Sequence, residues 1–470
     1  MKKIISLLTA IFLSAILVGC AVKEKYIVSY DVNGGTPYID ATWAYENDLA
    51  TKPSLEPVKE GYTFEYWMEK ESKTEWKFAT QTVTKDITLT AKWEPLNQGE
   101  IYFTKYFETT KSDKALELYN SGENTIDLSK YAIQIYTNGS KEVTEKITLT
   151  GTLSGKSFFL ITNNTLENSE LKKSSNLMTE KLSYDGNDVI ELVYEGQRVD
   201  IIGTVGLSVD FAKDVTLIKK LEYLSGYDSY DPYHYIKYNV ESYQYLKTFE
   251  GILTNQELIE GPKLTEEVMA LPFIDPNNPN VGGGGLMKVE SVLSVSDGDT
   301  ATFVGVDGKN YTMRYYYIDT PEVIGAGFNT GQPWAYQASR FNKLLLKDAE
   351  ENQKEIYIQS IKGSATRDNY GRYLGLVWVD GRLSNYDIVR AGMSNANIGN
   401  NAVDTKDMHY KDIPYSSFLE NIDLRSIKNE FGVNGIDPYY DMTAGRLTIT
   451  NWQDARLDVS KNEYDPEVDK

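Results

Sequence analysis

The chain has 470 residues, 41% of them hydrophobic, and a formal net charge of −20, so it is too long for one core, too apolar to be disordered, and expected to fold as about two to four domains. Its one cysteine, Cys20, and two distant histidines, His234 and His409, argue against a disulfide framework, a histidine triad or a Cys/His zinc site. The acidic balance argues against a protein that coats nucleic acid, yet residues 286–436 hold 16 Lys+Arg against 19 Asp+Glu while residues 1–285 hold 28 against 41, so a positive cleft in the later segment stays open.

Lys2 and Lys3 precede an apolar run, "IISLLTAIFLSAILV" (4–18), which is too short to span a bilayer comfortably and has the pattern of a secretory signal. The run ends in "LVGC" (17–20), which resembles a bacterial lipobox. That resemblance implies removal of residues 1–19, a diacylglycerol on the sulfur of Cys20, a short lipidated N-terminus (20–25), and anchorage by palmitate-type acyl chains on the extracellular face of the cell membrane. An ordinary cleaved signal is the alternative.

Residues 26–95 alternate apolar and polar positions, with Asn33-Gly34-Gly35 as a turn between strands. "YDVNGGTP", "KEGYTFEYWMEK", "WKFAT" and "ITLTAKWE" resemble one internalin-type B-repeat (Listeria–Bacteroides repeat), which implies a small β-grasp-like module. Trp67, Trp76 and Trp93 are expected in its core. Residues 98–250 show turns at sandwich spacing. The order "ALELYNSGENTIDLSKYAIQIY", "GKSFFLITNN", "DGNDVIELVYEG", "DIIGTVG" resembles a lamin-tail domain, which implies an immunoglobulin-like β-sandwich without catalytic residues. The tyrosine-rich stretch 223–238 is expected to pack on that sandwich, with stacking on bases as the alternative. Residues 251–285, including "DPNNPNVGGGG", read as a flexible tether without helix or strand; the spacing of a phosphate loop is absent. Residues 437–470 form an acidic tail.

Residues 286–436 predict five short strands with an inserted helix over 333–352, on which Trp334, Ala338, Phe341 and Leu345 share a face and Pro333 starts the first turn, and a short helix at "SNYDIVRAGMSNA". This is the pattern of a small barrel of the OB type. Its turns carry Asp297, Asp299, Arg314, Asp319, Glu322, Asp368 and Arg372. Taken singly, each is an ordinary solvated charge, and "DGD" falls short of an EF-hand because Ala301 stands where a further ligand is needed.

Taken together, "VSDGDT", "MRYYYIDTPE", "PWAYQASRF" and "ATRDNYGRYLGLVWVDG" resemble the staphylococcal nuclease (thermonuclease) family in order and spacing. The fold class expected for the whole chain is therefore mainly β and multidomain: β-grasp-like repeat, immunoglobulin-like sandwich and α+β OB-fold barrel. The resemblance implies that Asp299 and Asp319, with the carbonyl of Thr320, hold Ca²⁺; that Glu322 positions or deprotonates the attacking water; and that Arg314 and Arg372 grip the phosphate. Asp297 would sit behind the metal turn, Tyr370 would help bind the nucleotide, and Asp368 would brace the arginine loop. DNA and RNA are the implied substrates. The chemistry agrees, since a cation and two guanidinium groups offset the charge of an anionic phosphodiester and a carboxylate supplies the base. Two departures from the family stand out: Asn369 replaces a lysine, and "SNANIGNNAVDTKDMHY" lacks the tyrosines of a terminal-phosphate pocket. Two other readings remain: a surface adhesin or nucleic-acid-binding protein with a dead barrel, and a carbohydrate hydrolase using Asp319 and Glu322.

Overall fold

The fold is known from a computed structural model, which describes residues 23–59, 62–95, 101–109, 113–323, 331–398, 408–429 and 432–434, with 465 and 469. Two compact units make up the chain, one running to Val58 with Phe64–Glu94 added, the other formed by Lys59–Thr63 and everything from Pro95 onward. Cys20 and the apolar run before it lie outside the described residues. Among the described residues no helix is long and apolar enough to cross a membrane.

The first unit is a four-stranded sheet in which Lys25–Asp31 pairs antiparallel with Thr42–Tyr45 and parallel with Ile87–Pro95, leaving Tyr62–Glu69 on the far edge. Trp67, Trp76 and Trp93 are buried in its core with Val28 and Leu89, as their alternation with polar neighbours predicts.

The second unit begins with a sandwich. A six-stranded sheet runs in the order Leu177–Thr179, Ser157–Asn163, Lys114–Asn120, Ile101–Glu108, Thr216–Lys219, Tyr235–Tyr238. Facing it is a four-stranded sheet of Gln197–Ile202, Val189–Tyr194, Tyr131–Tyr136 and Glu145–Thr148. Phe103, Leu116, Leu118, Ile133, Ile190 and Leu192 form the core between the two layers. Two ion pairs are sealed inside: Lys105 with Glu117, and Lys219 with Asp200 at 2.8 Å. Asp200 also accepts the backbone N–H groups of Phe103 (2.8 Å) and Tyr227 (3.1 Å), which compensates the burial of its charge. The tyrosine-rich stretch packs inward: Tyr233, Tyr235 and Tyr238 are buried, and Tyr223 stacks on His234 with ring centroids 4.3 Å apart.

The expectation of a structureless tether over 251–285 is corrected. A helix at Asn255–Glu260 is closed by a capping box in which Thr254 and Glu257 each take the other's backbone N–H, and the strands Ile274–Asp275 and Asn278–Gly282 pair antiparallel. The glycines there serve close packing. A Cβ would stand 2.2 Å from the carbonyl oxygen of Ile361 at Gly282, 2.2 Å from that of Pro272 at Gly283, and 1.9 Å from that of Leu271 at Gly285. Direct contacts then fasten sandwich to barrel: Lys237 pairs with Glu420 (2.9 Å), Lys428 with Asp231 (3.1 Å), and the hydroxyl of Tyr245 donates to Asp412 (3.1 Å).

The barrel is a closed sheet of five strands: β1 (Leu286–Asp297), β2 (Thr300–Gly305), β3 (Asn310–Tyr315), β4 (Ile356–Ser360) and β5 (Tyr373–Val379), in the order β3-β2-β1-β4-β5, with parallel β3–β5 pairing to shut it. β1 bends around the core through three register shifts against β2. Helix α1 (Ala335–Glu351) lies between β3 and β4 in sequence, α2 (Ser384–Arg390) follows β5, and α3 (Tyr415–Asn429) faces the sandwich. Ala338, Phe341 and Leu345 of α1 are buried as predicted. Trp334 is not on the helix: its φ of 72° is left-handed, so the helix starts one residue later and Pro333 falls outside it.

Candidate nuclease site

The turn between β1 and β2 brings Asp297, Gly298 and Asp299 against the far end of β3 and the start of α1. Gly298 permits this approach, since a Cβ there would meet Thr320 Cγ2 at 2.7 Å and Ala338 Cβ at 2.8 Å. Asn342 of α1 holds the turn from behind, donating to the carbonyl of Asp297 at 3.1 Å and accepting from the hydroxyl of Tyr315 at 3.1 Å.

Asp299 is 2% exposed and sits at the centre of the network. Its Oδ2 accepts the N–H of Thr320 (2.8 Å) and pairs with Arg314 Nη1 (2.9 Å); its Oδ1 accepts from the Thr300 hydroxyl (3.1 Å). Burial, and next the charge of Asp297, push the Asp299 carboxyl up to about 7 despite Arg314. Arg314 lies opposite Thr300 in the β2–β3 ladder. Its Nη1 donates to the carbonyls of Tyr315 (3.1 Å) and Ile318 (2.8 Å), and its Nη2 donates to the carboxylate of Asp319. One guanidinium therefore spans two carboxylates. Asp319 is held by a short bridge in which Ile318 and Asp319 pair with Ala396 and Asn395. Thr320 is 4% exposed and its hydroxyl has no hydrogen-bond partner among the described residues.

Glu322 is fixed through its backbone, which accepts from Gln332 N (2.9 Å) and donates to Gln332 Oε1 (2.7 Å). Burial, then the charge of Asp299, raise its carboxyl above the usual carboxylate range, while Arg314 and Arg372 act in the opposite sense. Arg372 stands at the mouth of β5. Asp368 accepts its backbone N–H (2.9 Å) and its Nε–H (2.8 Å), closing the loop around Gly371, whose φ is 82°. Although burial opposes it, these bonds hold the Asp368 carboxyl below its ordinary value. Arg372 Nη1 reaches the Thr300 hydroxyl at 3.5 Å, so Thr300 links the arginine loop to the acidic turn. Tyr370 stands apart, 86% exposed, with its ring 5.4 Å from the Arg372 guanidinium. Arg367 serves its own loop, donating to Gly371 O (3.1 Å) and to the Tyr373 hydroxyl (2.7 Å).

Asp297, Asp299, Arg314, Asp319, Thr320, Asp368 and Arg372 are thus joined by direct bonds or by Thr300, and Glu322 shares their electrostatic field. Thr300, Gln332 and Asn342 were not expected from the sequence. Only the place of Thr300 directly after the acidic turn could have singled it out.

The oxygen-only donor set of Asp299, Asp319 and Thr320 suits a hard cation such as Ca²⁺. A carboxyl pushed up by burial, and next by the charge of Asp297, is one that a cation would return to its charged form. Among the described residues no group of three or more His, Cys, Asp or Glu side chains is placed to hold a metal ion.

Comparison with known families follows the same division. The Listeria–Bacteroides repeat domain matches residues 26–92, the Lamin Tail Domain residues 94–206, and the Staphylococcal nuclease homologue family residues 312–414. Over 72 residues the chain is 42% identical to a protein of Evansella cellulosilytica described as a Gly-rich membrane protein, covering 15% of this chain and 8% of that protein. Endonuclease YncB of Bacillus subtilis strain 168 is 35% identical over 98 residues, 21% of this chain and 43% of that protein. The chain therefore spans less than half of either relative. The thermonuclease of Staphylococcus hyicus is 30% identical over 132 residues, which are 27% of this chain and 73% of that enzyme. A closed five-stranded barrel with this acidic and guanidinium network, matched over most of a thermonuclease, shows that the chain belongs to the staphylococcal nuclease family.

Proposed function

We propose that this protein is a Ca²⁺-dependent nuclease that hydrolyses phosphodiester bonds of DNA and RNA, preferring unpaired strands because a small barrel groove admits a single chain most readily. The observation that carries the reading is the bonded path Asp319–Arg314–Asp299–Thr300–Arg372, which gathers two carboxylates and two guanidinium groups from separate strands and loops.

Each residue has a task in that chemistry. Arg372 is oriented by Asp368 through Nε, and its Nη2 makes no hydrogen bond among the described residues, so that edge is available to a phosphate oxygen. Arg314 offers its Nη2 edge, now on the half-exposed Asp319. Both stabilise the charge that grows on the phosphoryl oxygens in the transition state. Glu322 takes the proton from the attacking water; its raised carboxyl pKa makes it a stronger base than an exposed glutamate. Ca²⁺, held by Asp299, Asp319 and the Thr320 carbonyl, would supply Lewis-acid stabilisation of that same charge. No covalent enzyme intermediate is needed.

In the same reading Cys20 carries a lipid that anchors the protein on the outer face of the membrane, and the domains run 26–95, 98–250 and 286–436. The apolar run before Cys20 and the membrane-protein description of one relative support this placement. The test is single-stranded DNA cleavage by the full chain with Ca²⁺ or with chelator. Glu322→Gln and Arg372→Ala, with unchanged circular dichroism, are each expected to lose roughly 10²-fold or more in kcat/KM. Wild-type rates in those variants reject the mechanism. Release of Cys20→Ser from the membrane fraction tests the anchor.

A further inference from the structure

Arg367 carries a charge that the chemistry described above does not use. Arg198, Arg314, Arg340, Arg372, Arg382 and Arg390 each pair with a carboxylate. Arg367 has no carboxylate partner among the described residues, although the chain has a net charge of −20.

The side chain is exposed, yet it is held still. Nη1 donates to the carbonyl of Gly371 at 3.1 Å and Nη2 to the hydroxyl of Tyr373 at 2.7 Å, and the guanidinium carbon lies 4.2 Å from the centroid of the Tyr373 ring. Both acceptors are neutral, so the positive charge is oriented without being cancelled. Ordering a long surface side chain costs rotamer entropy. That cost is already met here, and the guanidinium is preorganised for an anion.

Its position selects the anion. Arg367 lies opposite Tyr373 in the hairpin that carries the arginine loop, so these two side chains share one face while Asp368 and Arg372 share the other. Tyr370 stands between the faces, 86% exposed. The guanidinium of Arg367 touches Gly371, the residue between Tyr370 and Arg372, and the surface beside Gly371 is open: a Cβ there would meet nothing within 4 Å. A strand gripped by Arg372, with a base stacked on Tyr370, crosses this open surface and reaches Arg367 next. A lone phosphate or carboxylate finds one cation at a time; a polynucleotide finds both.

We infer that Arg367 binds a phosphate of the same nucleic-acid strand, flanking the one that Arg372 grips, and so favours polymers over dinucleotides. The inference rests on the nuclease reading above and names a further substrate contact for it.

The test uses the full chain in two arms. In the first, chelator stops cleavage, and fluorescence anisotropy follows a labelled oligothymidylate of about 16 nucleotides, the upper site size for a small barrel, across a salt series. Arg367→Ala is expected to bind roughly 10-fold more weakly at low salt and to flatten the slope of log affinity against log salt by about 0.7, the value of one phosphate contact on a single strand. Arg367→Lys keeps the charge without the planar fork and is expected to restore the slope and part of the affinity. In the second arm, with Ca²⁺, the ratio of kcat/KM on that strand to kcat/KM on a thymidylyl dinucleotide is expected to fall about 10-fold in Arg367→Ala, with the loss in KM. A residue that only braced its loop would act by displacing Arg372 and would lower both substrates alike. An equal loss on both lengths, an unchanged salt slope, or wild-type affinity in Arg367→Ala overturns the inference. A wild-type chain that binds the strand but does not cleave it with Ca²⁺ strikes the nuclease reading instead, and the first arm still decides on Arg367.

Discussion

Gly298→Ala isolates the geometry of the acidic turn from its chemistry. Gly298 is not among the glycines with positive φ, so alanine brings no backbone penalty there; the whole effect is contact. The new methyl carbon would lie 2.7 Å from Thr320 Cγ2 and 2.8 Å from Ala338 Cβ, whereas ordinary contact begins at 3.4 Å. The turn must therefore retreat by roughly 0.6–0.7 Å from both, at a cost of about 1–3 kcal/mol for overpacking. Ala338 is a buried helix residue and cannot give way, so the displacement falls on the loop that carries Asp297 and Asp299. A shift approaching 1 Å in a positioned site costs about 10²-fold in rate. The assay is kcat/KM on single-stranded DNA beside the melting temperature. Gly308→Ala is the control: nothing lies within 4 Å of its Cβ, but its φ is 75°, so it costs about 1–2 kcal/mol of stability and leaves the turn alone. Full activity in Gly298→Ala, or an equal loss of activity in Gly308→Ala, refutes the claim that the turn's position governs catalysis.

Thr300→Val removes the hydroxyl shared by Asp299 and Arg372 while keeping its shape, and is expected to reduce kcat/KM about 10-fold with a melting shift of only a few degrees, read in the same assay. Lys105→Met leaves Glu117 buried without its cation and is expected to destabilise the second unit by about 3–5 kcal/mol in urea denaturation, with the cleavage rate of the folded fraction unchanged. His234 is held neutral by burial, with its pKa lowered to about 3. The unfolded chain then binds the extra proton, so this contribution is complete above the unfolded value of about 6.5 and is lost as pH falls from there towards 3, about 2–3 kcal/mol by pH 4.5. His234→Phe keeps the stacking on Tyr223 and is expected to flatten the melting-temperature profile between pH 6.5 and 4.5 relative to wild type.

Much of the barrel was legible because its strands alternate and its turns carry glycine beside aspartate. The candidate site was legible because charges that look ordinary one at a time follow a family's order. What escaped the sequence has physical causes. Helix α3 buries Asn421, Arg425 and Ser426 along with Phe418, Leu419 and Ile422, so its buried face carries no clean apolar period. Asp200 and Lys219 stand two residues from the core positions Ile202 and Leu217, where alternation assigns apolar side chains, and Glu117 stands between the core residues Leu116 and Leu118, where it assigns solvent; all three are buried and paired, Lys219 with Asp200 and Glu117 with Lys105. Trp334 looked like a helical position because nothing in its side chain announces a left-handed backbone. Thr300 and Gln332 act by hydrogen bonds that only the folded neighbours define. The glycine run of 282–285 was misread for a related reason: the same absence of a side chain that frees an unfolded chain also lets folded backbones touch.

That run has a practical corollary for anyone who wishes to isolate the barrel. Gly282, Gly283 and Gly285 lie flush against the carbonyls of Ile361, Pro272 and Leu271, and Tyr386 of α2 donates to the carbonyl of Leu258 at 2.7 Å. Cutting at residue 286 would strip away backbone that the enzyme domain uses as its own wall. A soluble fragment should open no later than Thr254, so that its first helix keeps its cap, and fusion partners should be joined upstream of that point.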